Sequence, residues 1–304
     1  MSRLYRIEHK TDYTYEGGDV TDSYGLTHMR PRDMEHQTCL AHEARISPEP
    51  ADQYSIDDVQ GNAATYFHVT TPHRELHVSG VSVVEVRDPH YRQEALAQPW
   101  EQCRPMTSDH EDAWQAVDFT LESELIDITP EVAEYAAVSF PPGRPIGEAV
   151  DDLNHRIYTD FEYNKDATTV TTRVPDVLVK RAGVCQDFAQ LFIACLRSQG
   201  LAGRYVSGYL ATVPPPGKPR LVGADATHAW VACWVPGAGW LAEDPTNDKR
   251  CDDAHATVAW GRDYRDVPPV RGIIYTESTS SSMSVSVDMA PLSEYAPATL
   301  SAES

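Results

Sequence analysis

Apolar and polar residues alternate along the first fifteen positions of the chain. Residues 3–15 separate into two faces in the way that is typical of a half-buried strand in an antiparallel sheet. The more apolar face carries Tyr5, Ile7, His9, Thr11, Tyr13 and Tyr15. Further β-like runs follow at 40–46, 64–70 and 76–86, separated by Pro48-Glu49-Pro50 and Gly61-Asn62. We therefore predict a small antiparallel β domain over residues 1–90.

Helical spacing replaces this alternation after Pro99. Thr129-Pro130 has the form of an N-cap followed by proline at the first helical position, and Pro141-Pro142-Gly143 is placed to end that helix. Apolar residues then recur at helical spacing from Ile146 to Tyr158. A short further helix is predicted around residues 176–181.

The next predicted helix begins at a cysteine, within RAGVCQDFAQLFIACLRSQG at 181–200. Its apolar face runs from Phe188 to Leu196, and Gly200 is placed to end it. Strands are then predicted at 204–212, 226–235, 239–243 and 284–289, with a proline break at 214–217 and an exposed serine-rich loop at 276–283. Helices followed by strands predict an α+β second domain over 91–304, with its motif-bearing core at about 145–250.

Composition narrows the classes of function. Acidic residues outnumber basic ones, 46 to 25, and the net charge of -21 argues against nucleic acid, whose phosphates bind surfaces rich in Lys and Arg. No stretch approaches the roughly 18 apolar residues of a membrane helix, and the first residues lack the pattern of a signal peptide. Six cysteines without CxxC pairs are typical of reduced thiols. We expect a cytoplasmic protein with no nucleic-acid or membrane partner and, without a nucleotide-type glycine loop, no cofactor.

Cys185 stands where its predicted helix begins. A thiol becomes a good nucleophile as the thiolate, and both a helix N-terminus and a neighbouring imidazolium favour that form. Unpaired backbone N–H groups of the first turn are also suited to bind the oxyanion of a tetrahedral intermediate. The position predicts a nucleophile, although a cysteine at a helix start is also a common small apolar filler.

His228 and Asp244 stand at the two ends of a predicted hairpin. One strand begins at His228, Pro236-Gly237-Ala238-Gly239 turns the chain, and the returning strand ends at Asp244. A carboxylate beside the imidazole would fix its tautomer and stabilise its charged form. The residue numbers 228 and 244 sum to an even number. The two side chains can therefore share a face of the sheet only if the hairpin loop has an odd number of residues or contains one bulge, and we predict that it does. Taken singly, the histidine also suits a core position and the aspartate a turn.

Longer stretches of the chain resemble a known family. The chain is similar to the transglutaminase-like cysteine-catalysis superfamily in GVCQDFAQLFIACLRSQGLAGRYVSGYL, THAWVACWVPGAGW and DPTN, and to its bacterial two-domain members in YRIEHKTDYTY, RPRD and GRDYRDVPPVRG. The resemblance implies a papain/transglutaminase-like core, in which a helix-borne cysteine packs on an antiparallel sheet, after a small β domain. It also implies Cys185 as the nucleophile, His228 as general base and acid, and Asp244 as the orienting carboxylate.

Five further positions are weaker candidates. The resemblance implies a second oxyanion donor upstream of the cysteine, where the nearest aromatic residue is Tyr163, whose phenol is equally suited to packing. Gln186 and Asp187 follow the thiol and are placed to cap the helix or to line the cleft. Cys251 and His255 are spaced like one half of a metal site. No second pair of ligand residues stands nearby in the sequence, so no metal is expected.

The same triad serves two acyl acceptors. Thiolate attack on an amide gives a thioester; water then makes a peptidase or amidase, and a lysine amine makes a cross-linking transglutaminase. We expect hydrolysis of a peptide or protein substrate, because the sequence shows no additional β-sandwich domain, no calcium-type acidic loop and no secretion signal. A non-catalytic binding scaffold is the alternative from another class, and the intact triad argues against it. The oligomeric state stays open.

Overall fold

The N-terminal region folds into two facing antiparallel sheets. The computed structural model describes residues 2–212 and 227–294. The strands of this region are β1 (Ser2–Glu16), β2 (Val20–Thr27), β3 (Gln37–Ser47), β4 (Asp52–Asp57), β5 (Ala63–Val69) and β6 (Glu75–Arg87). One sheet contains β1, β6 and β3, and the other contains β2, β5 and β4. The predicted antiparallel β region is confirmed, while β2 and β4 were not predicted.

Helices follow the β region, as the change in spacing predicts. They are α1 (Gln93–Leu96), α2 (Ala113–Ala116), α3 (Pro130–Ala137), α4 (Ile146–Asp160), α5 (Val174–Lys180) and α6 (Cys185–Ser198). The Val132 N–H donates to the Thr129 hydroxyl at 3.4 Å, so the predicted N-cap of α3 is confirmed. Gly200 ends α6 with a φ of 76°, a left-handed conformation that glycine adopts without strain. Within the described ranges no helix has the length and hydropathy of a membrane span.

The remaining strands include the sheet that carries α6. They are β7 (Glu162–Tyr163), β8 (Ala182–Gly183), β9 (Gly203–Leu210), β10 (His228–Val235), β11 (Gly239–Asp244), β12 (Lys249–Arg250), β13 (His255–Gly261), β14 (Val270–Thr276) and β15 (Ser280–Pro291). The order β12-β11-β10-β9-β13 makes one antiparallel sheet. Helix α6 packs on β9 and β10 with nearly every side chain buried. The predicted α+β architecture, a cysteine-bearing helix on an antiparallel sheet after a β domain, is confirmed.

The end of the described chain returns to the N-terminal sheets. β14 pairs with β2 and β15 pairs with β1, so each adds an outer strand to one sheet. The predicted boundary at residue 90 does not anticipate this return. The strand predicted at 284–289 is confirmed within β15, but the loop predicted at 276–283 is wrong for its second half, because pairing with β1 satisfies the backbone there whatever the side chains. The predicted break at 214–217 and residue 226 lie outside the described residues.

The long strand β1 contributes to two cores. Tyr5 and Ile7, near its start, pack with side chains of the α6 layer, whereas Tyr15, near its end, packs between the two N-terminal sheets. Between them, His9 Nδ1 lies 2.9 Å from the hydroxyl of Tyr209 on β9. Burial lowers the pKa of His9 to about 4, so this ring is neutral at physiological pH. One strand thus joins the N-terminal region to the sheet beneath α6.

Two side-chain amides cover the outer edge of β13. Gln37 donates to the Thr257 carbonyl at 2.7 Å and accepts the Thr257 N–H at 2.8 Å. Asn62 makes the same pair of hydrogen bonds with Trp260, at 2.8 and 2.9 Å. A bare edge strand would offer these backbone groups to another chain. The amides take the place of a neighbouring strand, and they hold the N-terminal region against the sheet that carries His228.

Candidate active site

The first turn of α6 places the Cys185 thiol at the start of a buried helix. Val184, before it, has no side-chain oxygen, and among the described residues no side chain caps the first-turn N–H groups. The Asp187 carboxylate instead turns back and accepts the Val184 N–H at 2.8 Å and the Thr168 hydroxyl at 2.6 Å. Gly183 makes room for it, because a Cβ there would lie 2.7 Å from Asp187 Oδ2. Asp187 therefore caps the helix at the N–H of Val184, the residue before the first turn, and this is one of its two predicted roles.

The hairpin of β10 and β11 has a three-residue loop. Val235 pairs with Gly239, which leaves residues 236–238 as the loop. The odd loop confirms the prediction made from the residue numbers. Because side chains alternate along each strand, this register brings His228 and Asp244 to the same face of the sheet.

His228 and Asp244 are in direct contact. His228 Nε2 lies 2.7 Å from Asp244 Oδ2, the distance of a charge-assisted hydrogen bond. Asp244 is fully buried, and two further donors hold it: the Thr246 N–H at 3.0 Å to Oδ1 and the Asn247 side-chain amide at 2.6 Å to Oδ2. The carboxylate is therefore fixed in one orientation toward the imidazole ring.

The Cys185 thiol meets the His228 ring as well. Burial by itself lowers the pKa of His228, but the hydrogen bonds and charges of Asp244 and Cys185 outweigh it and raise this pKa to about 9. With Nε2 on Asp244, Nδ1 is the ring nitrogen left for the thiol. A histidine with this pKa is an imidazolium at neutral pH. The structure thus brings the three predicted residues into one connected group.

A second histidine, His255, reaches the same carboxylate. Its Nε2 lies 3.2 Å from Asp244 Oδ2, and its Nδ1 lies 2.9 Å from Asp252 Oδ1. Burial by itself lowers the pKa of His255, but its two carboxylate partners raise it above the ordinary value. Burial by itself raises the pKa of Asp244, but the hydrogen bonds from both histidines hold it well below its usual range. Sequence spacing relates His255 only to Cys251; the pairing of β13 with β9, beside β10, is what brings it to Asp244.

The spacing inside this cluster fits hydrogen bonds better than a metal ion. One ligand atom each from His228, Asp244 and His255 lies within 4.8 Å of the others, so a cation has to be considered. In a tetrahedral zinc site with bonds of about 2.0–2.1 Å, two ligand atoms are about 3.3 Å apart. The 2.7 Å between His228 and Asp244 is shorter than that. Cys251, the other half of the spacing seen in the sequence, is buried outside this group.

Two tyrosines flank the thiol. Tyr163 on β7 is 48% exposed, and partial burial together with the charge of Cys185 raises the pKa of its phenol. Tyr205 on β9 is buried, and burial and Cys185 raise its pKa as well. Gln186, the other candidate for the cleft, donates its amide to the Val170 carbonyl at 3.1 Å. Tyr205 was not a candidate from the sequence, because its closeness to the thiol follows from the packing of α6 on β9.

The other five cysteines lie in different surroundings. Cys195 and Cys233 are buried in the core. Burial raises the pKa of each of the five, namely Cys39, Cys103, Cys195, Cys233 and Cys251. They therefore remain protonated thiols at neutral pH. All six cysteines are free of disulfide bonds.

Known protein families match both regions of the chain. Residues 5–85 match the family described as the bacterial transglutaminase-like N-terminal region, and residues 137–245 match the transglutaminase-like superfamily. An uncharacterized protein of Mycobacterium tuberculosis is 50% identical over 294 residues, which cover 94% of this chain and 92% of that protein. An uncharacterized protein of Mycobacterium leprae is 31% identical over 291 residues, which cover 94% of this chain and 98% of that protein.

One solved structure and one relative with a descriptive name are also similar to this chain. The crystal structure of a protein described as a candidate cysteine protease, from Cytophaga hutchinsonii, has a TM-score of 0.73 at 20% identity and covers 96% of this chain and 91% of its own. That likeness concerns the fold alone. A protein-glutamine gamma-glutamyltransferase of Pseudomonas aeruginosa is 40% identical over 108 residues, which cover 34% of this chain and 16% of that protein. The chain belongs to the transglutaminase-like superfamily, and within it to proteins that carry the bacterial transglutaminase-like N-terminal region.

Proposed function

We propose that this protein is a cysteine peptidase or amidase, which hydrolyses an amide bond of a peptide or protein by way of a thioester on Cys185. The observation that carries the proposal is the position of His228, which contacts the thiol on one side and Asp244 on the other. That arrangement supplies a nucleophile, a proton donor and an orienting carboxylate in one group. The N–H groups at the start of α6, which no side chain within the described ranges caps, add donors for an oxyanion.

The first half-reaction forms the thioester. The Cys185 thiolate attacks the amide carbonyl carbon, and the carbonyl oxygen takes up negative charge beside the first-turn N–H groups of α6. The C–N bond then breaks as His228 gives its Nδ1 proton to the leaving nitrogen. The products are an acylated cysteine, a free amine and a neutral imidazole. Asp244 keeps the remaining ring proton on Nε2 throughout.

The second half-reaction returns the enzyme to its starting state. Neutral His228 takes a proton from a water molecule as the water oxygen attacks the thioester carbon. The C–S bond breaks, the carboxylic acid leaves, and the Cys185 thiolate and the His228 imidazolium are restored. The pKa of about 9 suits His228 for the acid role, because the ring is protonated when each new substrate arrives.

Transfer to an amine is a second candidate reaction. It is favoured by the 40% identity over 108 residues to the protein-glutamine gamma-glutamyltransferase. The thioester step is the same, and only the acceptor differs. Hydrolysis is supported by the partial exposure of Cys185 and of the neighbouring Tyr163, because transfer to an amine requires that water be kept from the thioester.

The two acceptors can be separated in one experiment. A peptide library is incubated with the protein in ¹⁸O-labelled water together with a biotinylated primary amine, and the products are analysed by mass spectrometry. We expect ¹⁸O in new carboxylates, from backbone cleavage or from side-chain amide hydrolysis, with few amine adducts. Predominant amine adducts would make the protein a transglutaminase.

The matched controls are two cysteine variants. Cys185→Ala should abolish both kinds of product, whereas Cys39→Ala, which changes a cysteine on β3 of the N-terminal sheets, should leave them unchanged. Products that persist in the Cys185→Ala protein would contradict the proposal. A parent protein that forms no product would also contradict it and would favour a binding scaffold.

A further inference from the structure

A cavity lies between the N-terminal region and the sheet that carries α6. Its volume is about 520 Å³, which is within the range of small-molecule sites. Arg204, Trp240 and Trp260 line it from β9, β11 and β13. Residues 33–36 and 87–91 line it from the N-terminal side. The cavity is therefore bounded by both regions of the chain.

This cavity is separate from the candidate active site. Arg204 and Tyr205 are adjacent on β9, so their side chains leave opposite faces of the sheet. Tyr205 belongs to the core beneath α6, and Arg204 therefore faces away from α6 and Cys185. Along the strand, Arg204 is four residues, or about 13 Å, from Gly208, the partner of His228.

The Arg204 guanidinium has aromatic neighbours and, in the part of the chain that the structure describes, no anionic partner. Its central carbon lies 4.2 Å from the ring centre of Trp240 and 3.7 Å from that of Trp260. Its Nε is buried without a hydrogen-bond partner among the described residues. The guanidinium of Arg32 lies 3.5 Å from the same Trp260 ring. The guanidinium groups of Arg32 and Arg204 thus both lie against the indole ring of Trp260.

The charges around Arg204 leave this cation uncompensated. Burial lowers the pKa of Arg204 well below its ordinary value, and the charge of Arg32 lowers it further. Within residues 2–212 and 227–294, the only group that acts in the opposite direction is the phenol of Tyr91. A partly buried guanidinium without a counter-charge costs free energy, and an anion in the cavity would reduce that cost.

Two of the three carboxylates that also line the cavity have hydrogen-bond partners of their own. Asp33 accepts the Cys39 N–H at 2.8 Å, and Asp88 accepts the Asp253 N–H at 3.1 Å. Burial lowers the pKa of His36, and the charge of the neighbouring Glu35 opposes part of that shift. None of these three acidic groups acts on Arg204. The acidic residues of the wall therefore do not supply the missing counter-charge.

We propose that this cavity binds a small oxyanion, a carboxylate or phosphate group, on the Arg204 guanidinium. Arginine presents its N–H donors in a planar fork that matches two oxygens of such a group. The indoles hold the guanidinium plane in place before the ligand arrives. Tyr91 accepts the Ala242 N–H at 3.1 Å, so its own hydroxyl proton is available as an additional donor. The ligand would join the N-terminal region to the sheet.

The test is a titration of the full chain followed by NMR of the tryptophan indole N–H groups. Inorganic phosphate and succinate are the two probes, and sodium chloride at matched ionic strength is the reference. We expect saturable shifts of the Trp240 and Trp260 resonances, assigned with Trp240→Phe and Trp260→Phe. The probe that binds more tightly distinguishes a phosphate ligand from a carboxylate ligand.

Variants tie the binding to the guanidinium. Arg204→Lys keeps the charge but loses the fork, and should weaken binding about tenfold. Arg74→Lys changes an exposed arginine that pairs with Asp19, and should change nothing. If Arg204→Lys does not fold, Tyr91→Phe, which removes the second donor, should weaken binding severalfold. Indole shifts no larger than those in chloride, or equal affinity in the parent and the folded variant, would overturn the proposal.

Discussion

His255 Nε2 lies 3.2 Å from Asp244 Oδ2, and the same oxygen lies 2.7 Å from His228 Nε2. On its other side, His255 Nδ1 faces Asp252 at 2.9 Å. The buried carboxylate is thus held between two imidazoles, one of which leads to the thiol. We infer that His255 is a positioning residue, which acts on Cys185 chemistry only through the orientation and charge of Asp244.

Replacing His255 by leucine should therefore slow the reaction without destroying the site. A hydrogen bond to a charged group contributes about 1.5–3 kcal/mol, so we expect kcat/KM to fall by a factor of roughly 10 to 100. The alkaline limb of the pH profile should also move to higher pH, because Asp244 would then act on His228 alone. Steady-state kinetics across pH, with the peptide found in the library experiment, measures both effects.

His255→Gln is the matched control for this change. Its amide can still donate to Asp244, so the glutamine variant should recover part of the rate and of the pH profile. A leucine variant as active as the parent at every pH would show that His255 has only a packing role.

The pKa of His228 predicts how activity depends on pH. The ring must carry a proton to release the leaving amine, and its pKa is raised to about 9. Activity should therefore persist through neutral pH and fall as the pH rises through about 9. In Asp244→Asn, which removes the charge that holds this proton, the fall should begin at clearly lower pH. A parent profile that already declines near the ordinary histidine pKa of about 6.5 would contradict this assignment.

The same proton affects stability. The pKa of His228 is higher in the folded protein, about 9, than in the unfolded chain, about 6.5, so the folded state binds this proton more strongly. Its stabilising contribution is complete below about pH 6.5 and is lost as the pH rises through about 9. Urea unfolding at several pH values should show a free energy of unfolding that decreases over this window. His228→Gln should make the decrease shallower, and an unchanged slope would contradict the raised pKa.

The amide of Gln37 should matter for the stability of the whole molecule. Its Nε2 donates to the carbonyls of Thr257 and Arg32, each at 2.7 Å. Gln37→Glu replaces this donor by a charged acceptor that faces two carbonyl oxygens, and should lower the free energy of unfolding by about 3 kcal/mol. Gln53→Glu, the same change at an exposed position, should have little effect. Equal unfolding midpoints for the two variants would contradict the bridging role of Gln37.

The group of Cys185, His228 and Asp244 could be predicted because local patterns define each part of it. A helix start is visible from apolar spacing after Val184, and the hairpin from one turn between two apolar runs. The parity of residue numbers then decides which side chains share a face. The structure adds the contact distances, and the three-residue loop that the parity requires.

Contacts that depend on sheet order could not be predicted in this way. His255 reaches Asp244 only because β13 pairs with β9, and nothing in its local sequence indicates that neighbour. Asn62 looks like a turn residue beside Gly61, yet its amide pairs with the backbone of Trp260, 198 residues away. The return of β14 and β15 to the N-terminal sheets is of the same kind, because strand pairing across long separations leaves no periodic signal.

The rate at which iodoacetamide alkylates each cysteine near neutral pH tests the central claim most directly. An activated sulfur beside an imidazolium should react far faster than the other five cysteines, because burial raises the pKa of those five thiols. Peptide mass spectrometry after brief labelling should therefore find the label on Cys185 first, and His228→Gln should slow that reaction at least tenfold. Slow labelling of Cys185 at the rate of Cys39, unchanged by His228→Gln, would contradict the account.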